Sequence, residues 1–264
     1  MSALVYDDVF DQLDVRAGDT LFLHAAADRL GLNARQTMEL VESLLGRIGN
    51  RGTLLVPSYT WRGPDDRPAQ DSVLDVQRSP SAVGLLSEVF RRMSGTLRSE
   101  HYWVPVCGRG RLARSLLAGQ AQVVQPFAPG ATFFRLLEAD AKVVGLGVSL
   151  NTSSLSHLPD YAFESAYPFP IFSLAPITGR IRRATGRVIE TRTFIVPGEI
   201  MRNYKPSALF AASEKLSAAV RRADVGTTIR FAYPLRTYYE EGLRVGGRAL
   251  HEGRLPPWLN AVQT

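Results

Sequence analysis

Residues 18–58, "GDTLFLHAAADRLGLNARQTMELVESLLGRIGNRGTLLVPS", decide the fold class. "GDTLFLHA" is a turn leading into a short apolar run, which reads as a buried strand over 20–24. "NARQTMELVESLLGRIGNRG" has the spacing of an amphipathic helix, with Asn33 as N-cap and Gly49 or Gly52 as its stop. "TLLVPS" is the next strand. Strands alternating with helices argue an α/β fold.

The pattern extends in both directions. Residues 3 to 14 space Leu4, Val5, Val9, Phe10 and Leu13 as a helix does. "SPSAVGLLSEVFRRM" predicts a second helix, capped by Ser79 with Pro80 at its first position, and "AKVVGLGV" a third buried strand. After about residue 165 the period changes. "FPIFSLAPITGRIRRATGRVIETRTFIV" alternates two by two (Ile181, Arg183; Val188, Glu190, Arg192, Phe194) around "ATGR", a hairpin signal. "SALFAASEKLSAAVRRA" then returns to helix, "GTTIRFAY" to strand and "LRTYYEEGLRV" to helix, while "HEGRLPPWLNAVQT" reads as irregular. The expectation is one α/β domain over 1–264. It has a mixed sheet flanked by helices: a core over 1–165, then an antiparallel hairpin and C-terminal helices over 166–264.

Composition bounds the function. The 264 residues are 45% hydrophobic and 21% charged, enough for a substantial core. No apolar run approaches the ~20 residues that span a bilayer, and the acidic N-terminus lacks the basic start of a secretory signal. Cys107, the one cysteine, rules out an internal disulfide framework and fits a reducing cytoplasm. Net charge is +6 from 31 Lys and Arg. The arginines are scattered ("RGRLAR", "RIRRATGR", "RRADVG") and no basic-aromatic motif accompanies them. That argues against nucleic acid and for an anionic small molecule.

Candidate chemistry concentrates in "GVSLNTSSLSHLPDYAFES", residues 147–165. If Thr152 or Ser153 opens a helix, His157, Asp160 and Glu164 share one face. An imidazole beside a carboxylate suits a general base, because the carboxylate fixes the tautomer and stabilises the imidazolium. The alternative is a capping histidine with solvated acids. Pro159 would kink a helix begun at Thr152, whereas a helix capped by Ser156 takes it in the first turn. Elsewhere the signals are weak. There is no G-x-S-x-G elbow, and Cys107 in "VPVCGRG" reads as a small core or loop residue before it reads as a thiol nucleophile. The four histidines lack metal-ligand spacing, so no metal is expected. "GRG" at 108–110 fits neither the dinucleotide nor the P-loop spacing, and Pro105 stands where a GCN5-type acetyltransferase needs Arg or Gln.

Four stretches in order carry a resemblance. "GDTLFLHAAADRLG" is similar to G-D-x-L-x-x-H-x-S-L-x-x-x-G, and "RGTLLVPSYTW" to a G-T-L-x-x-P strand. "DVQRSPSAVGLLSEVFRRMSGTLRSEHYWVPVCGRG" resembles a segment with F-D, S-P-S and R-S-x-H-P motifs. "PGATFFRLLEADAKVVGLGVSLNTSSLSHLPD" resembles a segment ending in T-x-x-H-x-x-E. Over residues 18 to 165 the chain thus resembles the aminoglycoside 3-N-acetyltransferase family, which moves acyl groups from coenzyme A to amines.

The resemblance implies acetyl-CoA or another acyl-CoA as co-substrate, a small-molecule amine as acceptor and His157 as the base. The family's glutamate falls on Asp160, one methylene shorter, with Glu164 as a rival for the orienting role. It further implies Asp75, Tyr59 and Trp61 on the acceptor side, with a loop acid capping the helix near Ser79 as the alternative for Asp75. Arg98, Ser99, Ser81 and Arg29 fall on the coenzyme side, with a structural role as the alternative for Arg98 and Ser99. His101 is structural or coenzyme-facing, and His24 a buried, hydrogen-bonded strand residue. Ala26 stands where the family has serine. The positive net charge favours a nucleotide-linked amino sugar as acceptor. An aminoglycoside resistance enzyme is one alternative, and a catalytically inactive binding or regulatory relative another. A ping-pong route through Cys107 is a minor mechanistic alternative, and a homodimer is compatible with the sequence.

Overall fold

The computed structural model describes residues 3–66, 68, 72–224 and 228–259. Helix α1 (Ala3–Gln12) precedes β1 (Thr20–Ala25). Helix α2 (Ala34–Ile48) then carries the chain to β2 (Thr53–Pro57), which pairs with β1 in parallel. Asn33 caps α2 as expected, accepting from the Gln36 amide while the Gln36 side chain accepts from the Asn33 amide. The helix stops at Gly49, whose φ of 63° is the left-handed geometry that glycine adopts at least cost.

The remaining elements are β3 (Val73–Asp75), α3 (Leu85–Arg92), β4 (Leu97–Arg98), β5 (Val106–Gly110), α4 (Ala113–Leu117), α5 (Thr132–Glu138) and β6 (Lys142–Leu146). After them come α6 (Leu158–Phe163), β7 (Ile177–Arg182), β8 (Val188–Thr193), α7 (Gly198–Asn203), α8 (Ser207–Ala212), α9 (Glu214–Ala219), β9 (Arg221–Arg222), β10 (Arg230–Pro234) and α10 (Leu235–His251). The main sheet has seven strands in the order β4-β5-β2-β1-β6-β10-β9. Its centre, β2-β1-β6, is parallel, and the flanking strands run antiparallel to their neighbours.

Alternation along β1 feeds two cores. Leu21 and Leu23 point to the side of α1 and α2, with Phe10, Val41 and Leu44. Phe22 points to the other side, with Phe133, Val143 and Tyr233. Because β1 lies between β2 and β6, successive connections leave it on opposite sides. Ligand crevices open at the carboxyl ends of strands at such a reversal.

The predicted hairpin forms, with Ile181 opposite Ile189 and Gly186 at φ 83° in its turn. It does not join the main sheet. Strand β7 pairs in parallel with β3, making a separate three-stranded sheet whose buried side holds Leu74, Ile181 and Tyr102. Gly179 is required there, since a Cβ would fall 2.2 Å from the Tyr102 ring.

Two helices differ from the sequence reading. Helix α3 starts at Leu85, not near Ser79. The intervening loop is pinned by Ala82 N–H to Tyr59 O (2.7 Å) and Ser81 N–H to Glu88 Oε2 (2.8 Å). The segment after Pro206 splits at Ser213, whose hydroxyl accepts from the Leu216 amide (3.1 Å) and donates to the buried Glu241 (2.7 Å). Of the tail expected to be irregular, Pro257–Leu259 form a 3₁₀ turn, and 260–264 lie outside the described residues. Among the described residues no helix is long and apolar enough to cross a membrane.

Candidate functional site

The segments that follow β1, β2 and β6 converge on one cleft of about 740 Å³. From β1 come His24, Asp28 and Arg29; from β2 come Tyr59, Trp61 and Arg62; from β6 come Ser154, Ser156 and His157. The chain leaving β6 makes two 3₁₀ turns, Leu150–Thr152 and Ser154–His157, before α6 begins. His157 thus occupies the N-cap position of α6, with Pro159 in the first turn where its absent N–H costs nothing.

His157 Nδ1 lies 3.0 Å from Asp160 Oδ2. The ring is wedged between Phe127 (centroids 5.5 Å apart) and Tyr204 (4.2 Å). With Nδ1 held as a donor to the carboxylate, Nε2 is the nitrogen left to accept a proton from the cleft. Asp160 is completely buried. It is also bonded by Tyr204 Oη at Oδ2 (2.5 Å) and by Tyr167 Oη and Trp258 Nε1 at Oδ1 (2.8 Å each). Burial and the Asp160 charge push the Tyr204 and Tyr167 hydroxyls above the usual phenol range, so both remain donors.

Glu164 is not brought to His157. Helix α6 ends at Phe163, and the following 3₁₀ turn leaves Glu164 exposed and outside the cleft lining. The i+7 relationship assumed an unbroken helix.

Tyr59 and Trp61 do line the cleft. They form a stack with Trp103, at 5.2 Å and 12° for Tyr59–Trp61 and 5.6 Å and 6° for Trp61–Trp103. Tyr59 Oη donates to Ser154 Oγ (2.7 Å), which ties the β2 and β6 segments together, and Trp61 Nε1 to Trp103 O (2.6 Å), which ties β2 to the segment before β5.

Asp75 lies elsewhere. Its Oδ1 accepts from the Gln77 (3.0 Å) and Arg78 (2.9 Å) amides, and Oδ2 faces Arg182 Nε at 3.7 Å. It shapes a loop and does not line the acceptor cleft; the short carboxylate finds backbone donors two and three residues on.

Of the four residues expected on the coenzyme side, only Arg29 lines the cleft, where it is exposed. The Arg98 guanidinium instead donates to the carbonyls of Ser79 and Ser58, and burial lowers its pKa to about 10. Ser99 Oγ accepts from the Val106 amide (2.9 Å). Ser81 is held by Glu88, and its own hydroxyl is buried without a partner. These three brace the crossing of the β2, β4 and β5 ends.

The other reactive side chains are sealed. Cys107 is completely buried in β5, outside the cleft lining, and burial raises its thiol pKa. His101 accepts from the Val104 amide (3.1 Å). His24 touches the cleft, but its buried Nε2 has no hydrogen-bond partner, contrary to expectation. Burial lowers the pKa of both histidines to about 4. Among the described residues no group of three or more His, Cys, Asp or Glu could hold a metal ion. Of the cleft-lining side chains described, Asp28 is the one acid, set beside Arg29 and Arg62.

Sequence reasoning missed Tyr167, Tyr204 and Trp258. The last two lie 44 and 98 residues from Asp160, and no spacing rule links positions so far apart.

A sequence profile described as Aminoglycoside 3-N-acetyltransferase matches residues 22–231. The chain belongs to the aminoglycoside 3-N-acetyltransferase family. The match runs past residue 165, where recognisable motifs stop, and so takes in the hairpin and reaches the start of β10. Aminoglycoside N(3)-acetyltransferase IV from a Salmonella species is 27% identical over 158 residues, 60% of this chain and 58% of that one. The matches span a little over half the length of the first three curated relatives: 58%, 56% and 53%.

Two solved structures share the fold. Aminoglycoside acetyltransferase AAC(3)-Xa superposes with a TM-score of 0.74 at 22% identity, over 90% of this chain and 91% of that one. AAC-IIIb in binary complex with CoASH gives 0.74 at 20% identity, over 92% and 95%. The names of the curated relatives carry an aminoglycoside acceptor and none carries a nucleotide-linked sugar. The family match thus favours the aminoglycoside reading over the one drawn from net charge.

Proposed function

We propose that the protein is an acetyl-CoA-dependent N-acetyltransferase that acts on an amine of an aminoglycoside-type amino sugar. The observation that carries this is the His157–Asp160 pair at the wall of the cleft, with Nε2 open to it, in a chain of this family. Transfer is direct. The acceptor attacks as the free amine, its ammonium proton having already gone to solvent, and Nε2 takes a second proton from the nitrogen as it bonds to the thioester carbonyl. The C–N bond forms, the C–S bond breaks, and the imidazolium returns its proton to the departing thiolate. Asp160 stabilises that imidazolium and holds the tautomer.

Arg29 at the cleft mouth is suited to a phosphate of the coenzyme, and the Tyr59–Trp61–Trp103 wall to the body of the acceptor. Cys107 has no part in this route. The reaction belongs in the cytoplasm, where its thioester donor is available. The test is thiol release from acetyl-CoA across a panel of aminoglycosides. Turnover with at least one of them is expected. No thiol release with any, in a folded protein that also shows no thermal shift at millimolar coenzyme A, would overturn the reading in favour of an inactive relative.

A further inference from the structure

The Asp160 carboxylate is more completely engaged than an orienting role needs. An ionised carboxylate has about four lone-pair sites. Here four donors reach them: His157 Nδ1 (3.0 Å) and Tyr204 Oη (2.5 Å, its one proton shared with Ser156 O at 2.9 Å) at Oδ2, and Tyr167 Oη (2.8 Å) and Trp258 Nε1 (2.8 Å) at Oδ1. The group is completely buried, out of reach of bulk solvent. Its one ion-pair partner among the described residues is the titratable His157 itself. Three neutral donors from three separate parts of the chain therefore keep the charge in place. Trp258 comes from the C-terminal 3₁₀ turn, which is itself anchored by Lys205 N–H donating to Trp258 O (2.9 Å).

From this geometry we infer that Tyr167, Tyr204 and Trp258 are positioning residues that set the proton affinity of the His157–Asp160 pair. The inference rests on the reading of His157 as the base for its functional meaning, but not for its physical content. Each neutral donor draws negative charge from the carboxylate. The less charge remains facing Nδ1, the less the imidazolium is favoured, and the more of the base is ready at neutral pH. Of the charged residues that share the cleft, Asp28, Arg29 and Arg62 are exposed and none is hydrogen-bonded to the pair. Tyr238, 3.5 Å from Ser156 O, and Tyr233 are held neutral by burial, and burial likewise keeps His24 of the same cleft neutral at pH 7. The turn at Pro257–Leu259 thus acts on the chemistry through one hydrogen bond.

The sign of the effect separates this role from simple support. Removing the carboxylate should make the imidazole lose its proton more easily. Removing a donor should do the reverse, because the uncompensated oxygen holds the proton of the pair more tightly. Tyr167→Phe, Tyr204→Phe and Trp258→Phe are the variants, with the His157 ring titration followed by NMR and the pH dependence of kcat measured alongside. Loss of a hydrogen bond to a charged group should raise the titration midpoint of the pair by on the order of one pH unit, and carry the acidic limb of kcat with it.

Tyr167→Phe removes a single oxygen, so it remains informative if Trp258→Phe fails to fold. A folded Tyr167→Phe or Tyr204→Phe protein whose ring titration is unmoved, whatever its kcat, would overturn the inference and leave packing as the role of these rings. A ring titration that moves while the kcat profile does not would uphold the inference and count against His157 as the base.

Discussion

An imidazole whose Nδ1 is committed to a buried carboxylate has one nitrogen left for chemistry, and at His157 that nitrogen belongs to the cleft. His157→Ala should lower kcat by ~10²–10⁴ while coenzyme A affinity, read by calorimetry, stays nearly constant. His157→Gln should do no better, since an amide takes no proton at neutral pH. Asp160→Asn should lower kcat and move the acidic limb of the pH–rate profile downward, because the imidazolium loses its carboxylate. Glu164→Gln should leave both unchanged, as the side chain is exposed on a different turn. A shift in the acidic limb for Glu164→Gln would place that carboxylate, against the geometry, in electrostatic contact with the ring. The residue type and the i, i+3 spacing to Asp160 were readable in the sequence. The choice between Asp160 and Glu164 was not, because it turned on where α6 ends.

At the scale of elements, local signals succeeded where local chemistry is sufficient. The cap at Asn33, the stop near Gly49 and the Gly186 turn each depend on residues within four positions. Asn33→Ala removes a side-chain acceptor from the first turn of α2 and should cost about 1 kcal/mol in urea denaturation with kcat unchanged. A loss of activity at full stability would mean that α2 reports to the cleft, which its packing against α1 does not suggest. Local signals failed at Ser79 and Pro80. They look like a helix start, yet the chain there runs on to Gly84 at φ 117°. The carbonyl of Tyr59 and the carboxylate of Glu88 supply the hydrogen bonds a first helical turn would otherwise make. The same pinning took Ser81 and Arg98 out of the cleft, whereas Asp75 turned to the amides of its own loop.

At the scale of the molecule, two predictions concern pH and salt. His24 and His101 are buried and neutral, with pKa values near 4, against about 6.5 when unfolded. Their folded values are depressed, so the unfolded chain binds the extra protons. Stability is therefore complete above pH 6.5 and falls as pH drops toward 4. By pH 5 the loss should be roughly 2 kcal/mol per histidine, seen as a lower urea midpoint. An unchanged midpoint between pH 7 and pH 5 would show that these rings are protonated without unfolding.

The second prediction follows from the net charge of +6 and the one acid, Asp28, among the described cleft-lining residues. A polycationic acceptor approaches against a repulsive field, so kcat/KM should rise as added salt screens it. A steep fall with salt would instead indicate a local attraction that overrides the net charge.

By itself the sequence determined the α/β alternation, the hairpin, the absence of long apolar spans, the family and the i, i+3 spacing of His157 and Asp160. All of these reside in periodicity, turn chemistry or short motifs, where neighbours a few residues apart carry the information. Tertiary structure alone decided that β7 joins β3 in a sheet of its own. It also decided that Arg98 and Ser99 brace strand ends and that His24 sits in the cleft with a buried, unpartnered nitrogen. The donors gathered on Asp160 belong to the same class, drawn from positions 167, 204 and 258. A buried charge must be satisfied by whatever polar atoms the packed chain brings within about 3 Å, and which atoms those are depends on the closure of the whole fold.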